Sequence, residues 1–284
     1  MAEHQATWPV AVLCEVFEVS RSGFYAYVQR HTAPTIDRQE VELMARVKAI
    51  AAKTGQSYGS RRMAKQLQAE GCAVGRCKAR RLMQEAGVAV CRPTYRRPLT
   101  TNSRHGYGIA PNLLARQFDV EQPDQAWVGD ITYLWTAEGW LYLAVLLDLY
   151  SRKVVGWAMS AHIDADLVQT ALQMALGRRQ PAPGLLHHTD RGSQYACQAY
   201  QGLLATQGIR CSMSRKGECL DNAVAERFFG SLKGERTAHR AYATRQEART
   251  DVMEYIEMFY NSTRLHSYLG YRSPNEYEVL RKVA

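Results

Sequence analysis

No apolar run in the sequence approaches the roughly 20 residues that a membrane-spanning helix needs. The longest, around Trp140 to Leu147, falls far short. The first thirty residues lack a basic start, a long apolar block and a small-residue cleavage site, so no signal peptide is expected. Seven cysteines (14, 72, 77, 91, 197, 211 and 219) form no CxxC pair, and no histidine pair stands at finger spacing from Cys72, Cys77 and Cys91. That pattern argues against structural zinc and for reduced thiols in a cytoplasmic protein with no membrane partner. Internal repeats and low-complexity segments are also missing. With 46% hydrophobic and 22% charged residues, the 284-residue chain can bury a real core and fits two or three compact units.

Acidic residues are scarce in one stretch above all. Between 58 and 104, eleven Lys or Arg face only Glu70 and Glu85, so this segment alone carries a net charge of +9. From 121 onward, 18 basic residues balance 18 acidic ones. A concentrated basic patch attracts a polyanion through its phosphates and the counterions they release. A solvated helix face is the plainer explanation for a short charge run, but nucleic acid explains one this long better.

Residues 1–36 read as a helical, helix-turn-helix-like segment, with Ser20 offering a cap before Phe24 to Tyr27. Residues 37–91 read as a basic three-helix DNA-binding region. Its helices are expected near 38–53, with Val41, Met44, Ala45, Val47 and Ile50 apolar, near 60–70, ending at Gly71, and near 76–85, ending at Gly87. Arg61, Arg62, Lys65, Arg76, Lys78, Arg80 and Arg81 are its candidate phosphate ligands, joined by Arg96 and Arg97 in a basic, mostly irregular linker over 92–118.

After Pro123 the texture alternates. Strands are expected at 126–134, 140–148 and 153–160, then a helix, a short strand at 185–189, a helix, a strand at 209–213 and a long helix from about Asp221. That order is the ribonuclease-H-like one: an α/β core at 119–236 with a mixed five-stranded sheet and flanking helices. It follows the all-α basic region and precedes a helical extension over 237–284. The order would gather three acids: Asp130 within the first strand, Asp190 closing the fourth, and Glu226 on the last core helix. At about 100° per residue, Val224, Phe228 and Leu232 form an apolar stripe, while Glu226 shares the other side with Asn222, Gly230 and Lys233. Phe229 is not explained by that division.

Three carboxylates suit Mg²⁺, which takes hard oxygen ligands and keeps waters and phosphate oxygens in its shell. Two such ions can serve an in-line displacement at phosphorus, with Asp130 bridging both and Asp190 and Glu226 holding one each. Each acid alone has an ordinary reading: a turn residue for Asp190, a solvated helix face for Glu226. Asn222 is expected to cap its helix, Asp148 to be a strand-end acid, and His187 and His188 to face opposite ways. Lys233 and Arg236 are candidates for phosphate near the acids. Ser193 has no paired base to make it a nucleophile.

The stretches WVGDITY (127–133), LYLAVLLDLYSRKVVGW (141–157), HHTDRGSQY (187–195), SRKGECLDNAVAERFFGSLKGE (214–235) and YNSTRLHSYLGYRSP (260–274) resemble DDE-type insertion-sequence transposases. These are relatives of retroviral integrases, and the best match is the second reading-frame product (OrfB) of the IS-three family. Thirty-five residues separate Asp190 from Glu226 and Lys233 follows Glu226 by seven, both as in that family. VSRSGFYAY (19–27) and YGSRRMAKQLQAEG (58–71) extend the likeness to nearly the whole chain. Thr189 stands where Ser is usual, and Arg227 follows Glu226 where Ser is common.

The resemblance implies Asp130, Asp190 and Glu226 as catalytic metal ligands for two Mg²⁺ ions, with Mn²⁺ as a substitute. It implies cleavage at the ends of an insertion sequence and attack of the freed 3′-hydroxyls on target DNA. It further implies a homo-oligomer on DNA, an upstream-frame (OrfA) partner or fusion, and a nucleoid-associated place in a bacterial cytoplasm. Two other functions share the residues: a hydrolytic nuclease of the same fold, and an idle DNA-binding regulator of the element.

Overall fold

The structure, a computed structural model, describes residues 4, 7–32, 38–90 and 106–282. Helices α1 (Val10–Val16) and α2 (Arg21–Thr32) form the first hairpin, and the Ser20 hydroxyl accepts from the Gly23 amide at 3.0 Å, as a cap there requires. Helices α3 (Arg38–Lys53), α4 (Ser60–Ala69) and α5 (Arg76–Glu85) enclose a small core of Val47, Ile50, Met63, Leu67, Ala79 and Leu82. Gly71 and Gly87 end α4 and α5 at positive φ, where a side chain would be strained. Val41 and Ala45, expected on the buried side of α3, stay exposed, because the inner stripe runs through Leu43, Val47, Ile50 and Ala51.

The sheet combines an antiparallel meander with two parallel strands. Strands β1 (Ala126–Thr136), β2 (Gly139–Asp148) and β3 (Val154–Ser160) pair in succession. Helix α6 (Ala165–Arg179) crosses over to β4 (Leu186–Thr189), which lies parallel to β1. Strand β5 (Arg210–Met213) closes the order β3-β2-β1-β4-β5. Between β4 and β5 the single expected helix is two, α7 (Ser193–Ala196) and α8 (Gln198–Thr206), parted by extended backbone at Cys197.

Strand alternation sorts the core. Val128, Val145 and Leu147 face α9 (Ala223–Glu235), with Phe228 and Leu232, while Trp127, Ala144 and Leu146 face α6 and α8, with Val168, Leu172 and Leu204. Helix α10 (Arg245–Glu254), the π-helical turn Tyr255–Tyr260 and α11 (Pro274–Lys282) complete the chain. Tyr242, Val252, Ile256 and Tyr260 belong to the same buried cluster as Phe228, so the extension over 237–284 is part of the core. The described half of the linker, 106–118, is irregular as expected yet not loose. Leu114 is buried, and the Leu113 and Leu114 amides both donate to the Ser212 hydroxyl.

The sheet meets α6 most closely at Gly156. A Cβ there would sit 2.3 Å from the Ala171 carbonyl oxygen and 2.8 Å from the Ala175 amide nitrogen. No rotamer relieves a clash with backbone. Gly156→Ala should therefore destabilise the protein by about 3 kcal/mol or more, the upper range for overpacking, seen as a lower urea midpoint.

Candidate active site

Strand β4 accompanies β1 only as far as Val128, so β1 presents an open edge from there until Thr136 bridges Tyr242. Asp130 stands on it, with the parity of Val128 and hence on the face of α9. Its neighbour Gly129 is the residue that fits there: a Cβ would meet the His187 ring carbon Cε1 at 2.8 Å. The Asp130 carboxylate accepts from the Ile131 amide at 2.8 Å. Its pKa is nonetheless pushed well above the usual carboxylate range. Loss of water contributes most, then the negative charge of Asp190, with Glu226 adding to both; the Ile131 amide and Lys233 pull the other way. Asp130 thus lies within electrostatic reach of both of the other sequence-predicted acids.

Asp190 follows the last residue of β4. Its carboxylate accepts from the Gly192 amide at 2.9 Å, so it is a turn residue as well as a member of the cluster. Glu226 lies in the first turn of α9 and is exposed. The helix's buried residues are Ala225, Phe228, Phe229 and Leu232, with Val224 only partly covered. The inner stripe therefore centres one residue later than the sequence suggested, which accounts for Phe229. Lys233, two turns after Glu226, sets its ammonium 4.4 Å from the centre of the Tyr133 ring. Burial lowers its pKa and Asp130 works against that.

Asn222 does not cap α9. A short 3₁₀ turn, Cys219–Asn222, precedes the helix, and the Asn222 amide instead donates to the Gly129 carbonyl at 3.2 Å, pinning the helix start beside Asp130. The sequence reading missed Asp221, which is fully buried and receives Arg215, Arg116 and Asn112. Arg215 holds its carboxyl far below the usual range. The only sequence signal was an acid a few residues after Arg215 and Lys216. Asp148 is also buried, accepting from the Asp124 and Ser151 amides, well down the sheet from Asp130.

His187 and His188 do face opposite ways, the first to the Tyr200 hydroxyl and the second between the Ser212 and Ser214 hydroxyls. Burial lowers their pKa values to about 3 and about 4, and that of His266 to about 2. In the unfolded chain all three take protons near pH 6.5. Their folded values are depressed, so acid favours unfolding, and each costs about 1.4 kcal/mol of stability per pH unit below that point. Asp148, raised to about 6 by burial, and Asp130, also raised, work in the opposite sense as they protonate first in the folded state. Three histidines outweigh two acids, so stability should fall between pH 6 and pH 4. His266→Gln should flatten that limb by about 1.4 kcal/mol per pH unit in urea titrations.

Of the expected phosphate ligands, Arg61, Lys65, Arg76, Lys78, Arg80 and Arg81 are exposed, although Arg81 is paired with Glu40. Arg96 and Arg97 lie outside the described residues. Arg62 and Arg236 are instead engaged by acids of the fold: Arg62 bonds Glu235 at 3.2 Å, and Arg236 bonds the buried Asp251 at 2.8 Å and the exposed Glu254 at 3.1 Å. Tyr260, Arg264 and His266 are buried rather than displayed.

Comparison with known proteins identifies the family. The integrase core domain family matches residues 120–219, a second integrase core domain family matches 207–274, and an HTH-like domain family matches 38–97. The last falls on the three-helix unit rather than on the α1–α2 hairpin. An integrase-type core behind a helical HTH-like unit is the class these observations define. Within it, the chain belongs to the insertion-sequence transposase family of the IS3 type. It is 40% identical to the transposase InsF for insertion sequence IS3A of Escherichia coli K12, across 97% of this chain and 96% of that one. It is 43% identical to an uncharacterized 31 kDa protein of insertion element IS600 from Shigella sonnei, across 92% and 96%. A simian T-cell lymphotropic virus intasome structure is similar at 16% identity and a TM-score of 0.47, covering 76% of this chain and 73% of that one. The HTLV-2 integrase catalytic core solved with magnesium is similar at 16% identity and a TM-score of 0.43, covering 55% and 97%.

Proposed function

We infer that this transposase cleaves DNA at the ends of its element and joins the freed 3′-hydroxyls to target DNA, with Asp130, Asp190 and Glu226 as its catalytic carboxylates. The observation that carries this reading is the convergence of β1, the end of β4 and the start of α9, pinned by the Asn222 bond to the Gly129 carbonyl, which brings the charges of Asp190 and Glu226 to bear on Asp130. Such repulsion is what a divalent cation relieves. Among the described residues no group of three His, Cys, Asp or Glu stands close enough together to hold a metal ion. Mg²⁺ does not need one, since it takes one or two carboxylates and completes its shell with water and phosphate.

Asp130, Asp190 and Glu226 would together hold two Mg²⁺ ions, or Mn²⁺ in their place. The bound ions supply charge neutralisation and an activated attacking oxygen for displacement at phosphorus. Lys233 offers a fixed positive charge to a phosphate beside the acids, and Asn222 keeps Glu226 aimed at β1. Arg61, Lys65, Arg76, Lys78, Arg80 and Arg81 would hold the DNA backbone, with Arg96 and Arg97 extending the track. The α1–α2 hairpin leaves Val12, Val16, Phe17 and Tyr25 exposed, a surface suited to the upstream-frame product or to a second copy.

The test is a joining reaction. The chain, with and without the upstream-frame product, is incubated with Mg²⁺, labelled DNA carrying the element's own ends, and a target plasmid. Labelled plasmid is the expected product. Cut DNA that is never joined would favour a hydrolytic nuclease, and binding without chemistry a regulator.

A further inference from the structure

Beyond the acids, β1 and β2 continue into a hairpin whose tip carries three aromatic rings. Trp135 is paired with Trp140 across the ladder, and Tyr133 with Tyr142. The Trp135 and Trp140 rings meet edge to face at 4.8 Å, and Tyr133 meets Trp140 the same way at 5.2 Å. Trp135 is 61% exposed and Trp140 42%. The cause is topological: the cluster under α6 and α8 reaches along this side of the sheet as far as Ile131 and Tyr142, and the tip runs past it. Large aromatics left bare at the end of a rigid hairpin cost solubility and contribute nothing to the core.

The tip is also held in place and rimmed with positive charge. The Arg245 amide donates to the Glu138 carboxylate at 2.8 Å, and its Nε donates to the Trp140 carbonyl at 3.0 Å. Gly139, at φ +104°, leaves room for that guanidinium, 3.1 Å from where a Cβ would be. On the other side Lys233 lies over Tyr133. A side chain from α9 and a ring from the opposite face of β1 thus meet around the open edge that also bears Asp130. At roughly 3.4 Å per residue, Trp135 stands about 17 Å along the strand from Asp130, or about five base steps of DNA.

We propose that Tyr133, Trp135 and Trp140 form a stacking platform for unpaired nucleobases of the DNA strand that leads to the active site, with Lys233 and Arg245 neutralising its phosphates. Aromatic faces flanked by cations are the means by which proteins bind single-stranded DNA without reading its sequence. A platform of this kind would hold the end of the element in an opened form while Asp130 and its partners act. The choice of strand rests on the proposed function; the stacking itself does not.

The test uses the full chain with a fluorescent (dT)20 strand and a duplex of equal length, titrated at fixed salt. Stacking is worth enough per base that Trp135→Ala/Trp140→Ala should weaken single-strand binding about tenfold or more. Duplex binding should stay within about twofold, because the α3–α5 cations are untouched. Trp135→Phe/Trp140→Phe should restore most of the loss, which a folding defect would not. Absence of single-strand binding by the native chain would overturn the proposal. So would equal loss on both DNAs, or an alanine variant that only changes oligomeric state in DNA-free gel filtration. Joining activity, assayed separately, keeps the two readings apart. A native chain that joins DNA while its alanine variant binds single strands normally refutes the platform alone. Selective loss of single-strand binding in a chain without metal-dependent chemistry refutes the function alone.

Discussion

Asp130→Asn should reduce both cleavage and joining by roughly three orders of magnitude or more while DNA binding persists, and Asp190→Asn and Glu226→Gln should do the same. Losing one preorganised electrostatic group in an active site already costs 10²- to 10³-fold. Each of these residues would also remove a ligand from a site with few. The three substitutions are near-isosteric, so shape is conserved and charge is not. At Asp130 the amide also relieves the repulsion that raises the native carboxyl's pKa. Asp130→Asn should consequently be no less stable than the native chain, even as activity vanishes. That pairing separates a catalytic role from a structural one, because a structural carboxylate would lose stability with its charge. Metal-dependent joining retained by any of the three variants would remove that residue from the site.

The sequence showed the catalytic core more clearly than what fastens it. The helical period of α9 marked its buried side to within one residue, because burial on one face leaves a periodic trace. Asp130 and Glu226 were legible from their places on a strand and a helix, whereas Asp190, a turn residue, was legible through the motif around it. Contacts that join distant segments leave no such trace. Asn222 looked like a cap because capping is local, whereas its partner, the Gly129 carbonyl, is 93 residues away. Arg62 and Arg236 looked like phosphate ligands because a sequence shows charge but not the acid that folding brings to it. Likewise nothing local in the sequence marks Tyr260, Arg264 and His266 as buried, since the packing of their segment on the core depends on tertiary structure.

Arg264→Met should cost about 3–5 kcal/mol of stability, the range for breaking a buried ion pair from one side. Arg264 is only 5% exposed and grips Glu235 with two hydrogen bonds of 2.7 Å. Burial pushes the Glu235 carboxyl up, but Arg264 outweighs it, helped by Arg62 and the Tyr255 hydroxyl, so the group stays ionised below its usual range. Without Arg264 that charge keeps only Arg62 at 3.2 Å and the Tyr255 hydroxyl at 2.9 Å. Replacing both partners, as in Glu235→Met/Arg264→Met, removes the stranded charge and should recover a substantial part of the loss, since a buried pair often fares little better than an apolar one of the same volume. Urea unfolding of the native chain, the single variants and the double variant completes the cycle. A double variant no more stable than Arg264→Met would show that the arginine acts through packing instead. The location gives the pair its consequence. Glu235 ends the helix that carries Glu226, Arg62 lies on α4, and Tyr58 takes the Leu265 amide at 3.0 Å. One buried charge pair therefore ties the three-helix unit, the C-terminal extension and the helix that carries Glu226 together. Arg264→Met should accordingly lower joining more than it lowers binding of either DNA by the isolated basic surface, because what it loosens is the alignment between them.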